Sequence, residues 1–176
     1  AIDSSDRKLT YRQLHTASRK LARRLNNAGI GSGDRVAIQL PTQNLDLFVS
    51  ILGVLISGAA YVPVDAEDSP ERMEQICQLA GVVGRITAGG LEVATRGKSR
   101  RQSPEPGDDA WVIFTSGSTG TPKAVAVTHA SAANLVQAER SLFCRKRPLG
   151  VGSRVAASLS PAFDVAKFQH NQVIQK

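Results

Sequence analysis

The chain alternates stretches of helical periodicity with short apolar runs, and this alternation restricts its fold more than any other feature. Three predicted helices begin near Thr10, Thr42 and Ser69. The apolar runs between and after them are RVAIQL (35–40), AAYVPV (59–64) and VVGRIT (82–87). These runs lack the polar alternation of a strand with one solvated face, so they are typical of parallel strands covered on both sides. The sequence therefore predicts an α/β fold, a doubly wound, mostly parallel sheet flanked by helices.

Each predicted helix carries start and stop signals. Thr10, with Gln13 three residues later, forms a capping-box pattern, and Ser69 before Pro70 supplies an N-cap followed by proline in the first turn. Glycines follow the helices as C-terminal stops, namely Gly29, Gly58 and Gly81. Helical spacing predicts three buried stripes, which are Leu14, Ala17, Ser18, Leu21, Ala22 and Leu25; then Leu45, Phe48, Ile51, Leu52 and Leu55; then Met73, Ile76, Cys77 and Ala80.

These patterns divide the chain into three parts of one partial domain. Residues 1–87 form the predicted α/β layer. From 88 to 109 the periodicity gives way to Gly, Ser, Pro and charged residues, which predicts a surface loop or a subdomain junction. Residues 110–176 contain a strand AWVIF (110–114), a run of small residues, a strand AVAV (124–127), a helix near 130–140 capped by Thr128, and an atypical tail.

Composition restricts the partners of the chain. The net charge of +7 suits a polyanionic small molecule, while the scattered basic residues without interleaved aromatics argue against nucleic acid. No apolar run reaches the length of a membrane span, so we expect no membrane association. Cys77 and Cys144 lack CxxC or metal-ligand spacing and are interpreted as reduced thiols in the cytoplasm. The chain starts without Met or a visible targeting peptide, as expected of a piece of a longer protein.

The segment FTSGSTGTPKAVAVTH (114–129) is the strongest candidate for chemistry. Every residue from 115 to 121 is Gly, Ser or Thr, and Pro122 and Lys123 close the run. Such residues cannot build a core. The run is therefore either a flexible linker or a cradle whose backbone N–H groups, hydroxyls and lysine bind a polyphosphate. A Walker loop requires G-x-x-x-x-G-K-[ST] before a helix, and here Lys123 leads into strand-like residues instead.

The same segment closely resembles the phosphate-loop signature of adenylate-forming enzymes, the superfamily of acyl-CoA synthetases, luciferases and adenylation domains of nonribosomal peptide synthetases. Two further stretches resemble the peptide-synthetase branch, LTYRQLHTASRKLARRL (9–25) and GVLISGAAYVPVDAEDSPERMEQI (53–76). SPAFDV (160–165) resembles its FD-containing motif. The resemblance runs in the family's order from about residue 10 to 165 and indicates an N-terminal fragment of an amino-acid adenylation domain.

The resemblance implies ATP-dependent activation of an amino acid or other carboxylate as an acyl-adenylate, with release of pyrophosphate. It places the phosphate clasp at Thr115, Ser116, Gly117, Ser118, Thr119, Gly120 and Lys123. Asp164 would pair with the α-ammonium of the amino acid. ATP with Mg²⁺ is the implied cofactor, and a phosphopantetheine carrier protein is the implied partner in the complete enzyme. The resemblance assigns no catalytic and no metal-binding residue to this chain, because those elements lie downstream in the family.

The chain also departs from the family pattern. Ala124 stands where glycine is usual, which would be strained if that position needs a positive φ. After Asp164 the chain continues with the polar tail VAKFQHNQVIQK, where the family has an apolar helix. The family's adenine-binding, ribose-binding and catalytic-lysine elements have no counterpart. We therefore expect that the isolated chain does not catalyse adenylation, because a phosphate grip alone lacks the positioning that the reaction requires.

Two alternatives stay open at the level of sequence. The first is a fragment of an acyl-CoA or aryl-acid synthetase, whose acid substrate has no α-amino group and no use for Asp164. The second is a non-catalytic, truncated remnant.

Overall fold

The computed structural model describes residues 2–4, 7–94, 104–115 and 122–142. The helices in these residues are α1 (Tyr11–Asn27), α2 (Leu45–Ser57), α3 (Pro70–Ala80) and α4 (His129–Leu142). The strands are β1 (Ile2–Asp3), β2 (Lys8–Leu9), β3 (Arg35–Ile38), β4 (Ala60–Pro63), β5 (Gly84–Thr87), β6 (Gly90–Val93), β7 (Asp109–Thr115) and β8 (Lys123–Thr128).

Six of these strands form one sheet in the order β6, β5, β3, β4, β7, β8. The four central strands are parallel, and the edge strands β6 and β8 each run antiparallel to their neighbours. The short strands β1 and β2 pair separately. Strands β3, β4 and β5 are connected through α2 and α3, as the βαβ pattern predicts. The predicted α/β class with a mostly parallel sheet is confirmed.

Helices cover both faces of the sheet. Side chains of a strand alternate between its faces. Val36 and Ile38 of β3 accordingly pack in one cluster with residues of α1 and α2, while Ala37 packs in a second cluster with residues of α3. Each cluster is built from almost fully buried aliphatic side chains. The sheet is therefore doubly wound, and its parallel strands are apolar on both sides.

The capping residues confirm most of the predicted helix boundaries, but α2 begins at Leu45 after the N-cap Asn44 and not near Thr42. The Thr10 side chain accepts a hydrogen bond from the Gln13 amide while the Gln13 side chain accepts one from the Thr10 amide, which completes the capping box. Ser69 caps α3 in the same way through the Arg72 amide. Gly58 and Gly81 end their helices in the left-handed conformation, with φ of 90° and 63°.

The predicted buried stripe of α2 is partly wrong. Leu45 is buried as predicted, but Leu52 is 37% exposed, whereas Leu47 and Val54 are almost completely buried. The reason is that α2 packs against both α1 and the sheet, so that more than one of its faces is covered. A single stripe at helical spacing describes a helix with one covered face and misses this arrangement.

The two helices on this face approach each other closely at Gly53. A Cβ built there would lie 2.7 Å from Cδ2 of Leu21 and 3.0 Å from its Cβ. Ser50 and Ser57 are buried on the same helix, three and four residues away from Gly53. Small side chains at these positions allow the backbones of α1 and α2 to pack closely.

A strand also forms where the sequence predicts a loop. Residues 90–93 pair with β5 as the antiparallel edge strand β6, within the predicted loop of residues 88–109. The four residues GLEV have little strand periodicity, and the burial of β6 is slight because it lies at the edge of the sheet.

Polar contacts attach β7 to the rest of the sheet at its beginning. The Arg35 guanidinium forms an ion pair with Asp109 at 2.9 Å and donates a second hydrogen bond to the Ala80 carbonyl at 3.0 Å. The neighbouring Asp108 accepts a hydrogen bond from the Ser32 hydroxyl at 2.7 Å. These contacts connect the start of β7 with β3, with the loop before β3 and with the end of α3.

None of the helices in the described part of the chain is long and apolar enough to cross a bilayer.

We predict that Gly53→Ala lowers the free energy of unfolding by about 1 kcal/mol, because overpacking costs about 1–3 kcal/mol and the higher helix propensity of Ala offsets up to about 1 kcal/mol. In a Leu21→Ala background the same change should cost clearly less, since the contacts with Cδ2 and Cγ of Leu21 are gone and only the 3.0 Å approach to the Cβ of residue 21 stays. Urea denaturation of the four proteins measures this coupling. An equal effect of Gly53→Ala in both backgrounds would contradict the close approach.

Burial raises the pKa of Tyr61 above its usual range. The unfolded phenol titrates near pH 10, so the stability that depends on neutral Tyr61 is present below about pH 10 and is lost as the pH rises further. We predict that Tyr61→Phe moves alkaline unfolding to higher pH. Tyr11, which is 77% exposed, supplies the matched control, and Tyr11→Phe should leave the unfolding pH unchanged. Circular dichroism between pH 8 and 12 measures the transition, and identical curves for both variants would refute the prediction.

Candidate phosphate-binding site

Strands β7 and β8 form a hairpin that flanks the run of small residues. Their antiparallel register ends with the pair Thr115 and Lys123, next to the pair Phe114 and Ala124. The Thr115 hydroxyl lies 3.5 Å from the Lys123 carbonyl oxygen, to which it donates. The two ends of the predicted phosphate loop are therefore held side by side by the sheet.

The hairpin ends at the carboxyl edge of the parallel strands. β7 runs parallel to β4, so its last residue, Thr115, lies at the same edge where β3, β4 and β5 end. Ligands of doubly wound sheets bind at this edge. Thr115 and Lys123 are both exposed there, whereas Pro122 is buried and fixes the start of β8.

Lys123 provides positive charge at this position. Within the described residues its ammonium group forms no ion pair. An exposed cation fits an anion, because charge-assisted hydrogen bonds to phosphate oxygens are stronger than neutral ones.

The structure places only part of the predicted site. It brings together Thr115 and Lys123, the first and last members of the predicted clasp. Ser116, Gly117, Ser118, Thr119 and Gly120 lie outside the described residues, as does Asp164. Their assignment stays a prediction.

The position of β7 is fixed by its pairing with β4. Tyr61 and Trp111 are register partners, and their rings lie with centroids 5.9 Å apart at an interplanar angle of 34°. Tilted aromatic pairs at this distance stabilise beyond the area that they bury. Val112 and Ile113 of the same strand are almost completely buried. The base of the candidate site is thus part of the core.

Ala124 is accommodated without strain. It lies within β8, and no residue other than glycine has a positive φ in the described part of the chain. The alanine side chain is exposed, so its Cβ meets no crowded surface. The departure from the family's glycine therefore does not disturb the hairpin.

A second polar position at the same edge was not singled out by sequence reasoning. The chain continues from β3 into α2 on one face of the sheet and from β4 into α3 on the other face. Doubly wound proteins usually bind ligands in the gap between two strands whose connections diverge in this way. Here the Gln39 side chain donates to the carbonyl oxygens of Asp65 and Asp68, at 3.0 and 3.2 Å. The Gln39 side chain thus bridges the gap between the two strands. A polar residue directly after the buried strand β3 is the feature of the sequence that could have indicated this position.

Candidate metal ligands are scarce in the described residues. No group of three or more His, Cys, Asp or Glu side chains lies close enough together there to hold a metal ion.

The fold and the hairpin define a class of protein, an α/β domain with a glycine- and hydroxyl-rich segment at the carboxyl edge of its sheet. Two overlapping stretches of the chain, residues 1–102 and 84–171, match the family described as AMP-binding enzyme. These stretches include most of the chain, and the chain belongs to the AMP-binding enzyme family.

Individual relatives indicate which type of AMP-binding enzyme the chain resembles. Bacitracin synthase 1 of Bacillus licheniformis is 35% identical over 161 residues, a match that covers 81% of this chain but only 3% of that protein. The solved structure of FmoA3, a nonribosomal peptide synthetase, has a TM-score of 0.80 at 25% identity and covers 97% of this chain and 19% of that one. The chain therefore spans a small part of each of these relatives.

The N-terminal subdomain of Klebsiella oxytoca NpsA shares the fold. Its TM-score is 0.74 at 23% identity, and the match covers 97% of this chain and 46% of that chain. Together with the family match, these likenesses confirm that the chain corresponds to the N-terminal part of an adenylation domain of the peptide-synthetase type.

We predict that Ala124→Gly destabilises the chain by about 0.5–1 kcal/mol, because glycine in a strand loses more backbone entropy than alanine and no strain is relieved. Urea denaturation measures the change. A gain in stability would contradict the strand conformation of Ala124.

Proposed function

We propose that the chain is part of an enzyme that activates an amino acid with ATP, forming an aminoacyl-adenylate and pyrophosphate, within a nonribosomal peptide synthetase or a related synthetase-like enzyme. One observation carries the proposal. Thr115 and Lys123 lie side by side where β7 and β8 end, exposed at the edge of the sheet where α/β proteins bind ligands.

The described residues fit a polyphosphate in two respects. The exposed Lys123 ammonium group has no carboxylate partner among them. The backbone of the same residue is held next to the exposed Thr115, whose hydroxyl donates to the Lys123 carbonyl. Cations and hydrogen-bond donors stabilise the negative charge that develops on pyrophosphate when the α-phosphorus is attacked, and Lys123 supplies such a cation. In this proposal Ser116, Gly117, Ser118, Thr119 and Gly120 complete the clasp.

ATP supplies the adenylyl group and the pyrophosphate leaving group when it is bound. Mg²⁺ offsets phosphate charge in such reactions, and we assign its protein ligand to a part of the enzyme beyond this chain. Asp164 is proposed to pair with the α-ammonium group of the amino acid. In the complete enzyme the aminoacyl group would pass to the phosphopantetheine thiol of a carrier protein.

The tight attachment of β7 supports a binding role. Donors that stabilise a developing charge are effective when they are held in place before the reaction. The Tyr61–Trp111 pair and the Arg35–Asp109 ion pair hold the strand that ends at Thr115.

We predict that Lys123→Gln weakens ATP binding about tenfold, because a hydrogen bond to a charged group contributes about 1.5–3 kcal/mol and 1.4 kcal/mol corresponds to a factor of ten. Trp111, the only tryptophan of the chain, lies four residues before Thr115 and reports binding through its fluorescence. Arg19→Gln removes an equal charge from the exposed face of α1 and should leave ATP affinity unchanged.

Two outcomes would contradict the proposed site. Equal affinities for the Lys123 and Arg19 variants would show that only overall charge matters. The absence of a saturable response at millimolar ATP would favour the alternative of a non-catalytic remnant.

We also propose that the chain alone does not catalyse adenylation. Pyrophosphate exchange with a panel of amino acids should stay at background. The residues of the proposed site bind phosphates and an ammonium group, and none of them is assigned to position adenine, ribose or the reacting carboxylate. Clear exchange by the isolated chain would overturn this.

The panel also separates amino-acid activation from the alternative of an acyl-CoA or aryl-acid synthetase. In a longer polypeptide that supplies the remaining elements, Asp164→Ala should suppress exchange with amino acids and leave exchange with acids that lack an α-amino group unaffected. Exchange supported only by aryl or fatty acids, and unaffected by Asp164→Ala, would establish the alternative.

A further inference from the structure

A cavity of about 340 Å³ lies between α1, α2 and the hairpin of β5 and β6. Its apolar lining includes Leu21 of α1, Val49 of α2 and Ile86 of β5. Sites for small organic molecules have volumes from about 300 Å³ and combine an apolar lining with a few polar groups.

A serine of α2 lines this cavity. Ser50 is 3% exposed, and its hydroxyl forms no hydrogen bond among the described residues. Another serine of the same helix, Ser57, does donate to a backbone carbonyl, that of Val54, at 2.7 Å. Ser50 is therefore available to a guest in the cavity.

The charges around the cavity are predominantly positive. Lys20 and Arg24 lie one helical turn apart on α1 and both line the cavity, and neither forms an ion pair within the described residues. The carboxylate of Asp46, which also lines it, is paired with Arg7 at 2.9 Å. The cavity also adjoins the start of α2, which is capped by Asn44, and helix N-termini favour anions. Two cations and a serine hydroxyl thus line a pocket whose wall is partly apolar.

We propose that this cavity is a binding site for a small carboxylate with a short apolar body. The apolar lining takes the body, Lys20 and Arg24 bind the carboxylate, and Ser50 donates a hydrogen bond to it. The half-apolar lining favours such an amphiphilic anion over inorganic phosphate, whose oxygens would all require polar partners.

This site is distinct from the hairpin of the proposed function. The cavity adjoins β5, and β7 lies three strands away in the sheet order. At about 4.8 Å between neighbouring strands, the separation is about 14 Å. The two sites can therefore be tested separately.

The experiment is a calorimetric titration of the full chain with hexanoate and benzoate, with hexanamide and inorganic phosphate as comparison probes. Both carboxylates should bind saturably, and the amide and phosphate at least about tenfold more weakly. The double substitution Lys20→Gln and Arg24→Gln should weaken hexanoate binding about tenfold, since each exposed charge contributes modestly. Ser50→Ala should weaken it several-fold while its thermal unfolding shows that the variant is folded.

Matched controls come from the same helix. Arg19 and Arg23 are exposed cations of α1 that do not line the cavity, and their double substitution to Gln should leave hexanoate binding unchanged. Lys123→Gln should also have no effect on hexanoate binding.

Three results would overturn the proposal. They are equal losses of hexanoate affinity for the two double variants, tighter binding of phosphate than of hexanoate, and no saturable binding of either carboxylate. If Lys123→Gln weakened hexanoate binding and the Lys20 and Arg24 substitutions did not, the carboxylate would bind at the hairpin and this proposal would fail. If the unsubstituted chain bound hexanoate but not ATP, only the proposed function would be refuted.

Discussion

The parallel pairing of β7 with β4 is the constraint on which the rest of the structure depends. One register pair, Tyr61 with Trp111, fixes this pairing, and their tilted rings reinforce it. The Arg35–Asp109 ion pair holds the start of the same strand. Without this pairing the section that begins at residue 109 would have no fixed relation to the α/β layer. With it, Thr115 is brought to the carboxyl edge of the same sheet.

Local chemistry made much of the fold predictable. The capping box at Thr10, the Ser69–Pro70 start and the glycine stops each depend on a few neighbouring residues, and the structure confirms them. Apolar runs bounded by these signals were correctly predicted as strands. Other errors arose where tertiary contacts decide. The covered faces of α2 depend on its contacts with both α1 and the sheet, and β6 depends on the edge that β5 offers it.

The candidate site was predictable to a different degree. Its residue types and their resemblance to a family predicted the phosphate segment. The family match supports the resemblance, while the roles of the individual site residues stay a prediction. The sequence could not establish that Thr115 and Lys123 are register partners, because strand register depends on long-range pairing. It also gave no sign of the cavity beside α1. The residues that line that cavity, such as Lys20 and Ser50, are far apart in the chain and lie in stretches that only predict helices.

The central claim is that the ends of β7 and β8 form the base of an ATP polyphosphate site. The most direct measurement is a backbone amide NMR titration of the chain with ATP, and separately with pyrophosphate. The account predicts saturable shift changes at Thr115 and Lys123 with both ligands, larger than those at α1 or the β5–β6 hairpin. Unchanged amides at Thr115 and Lys123, with shifts confined to residues such as Lys20 and Arg24, would contradict it.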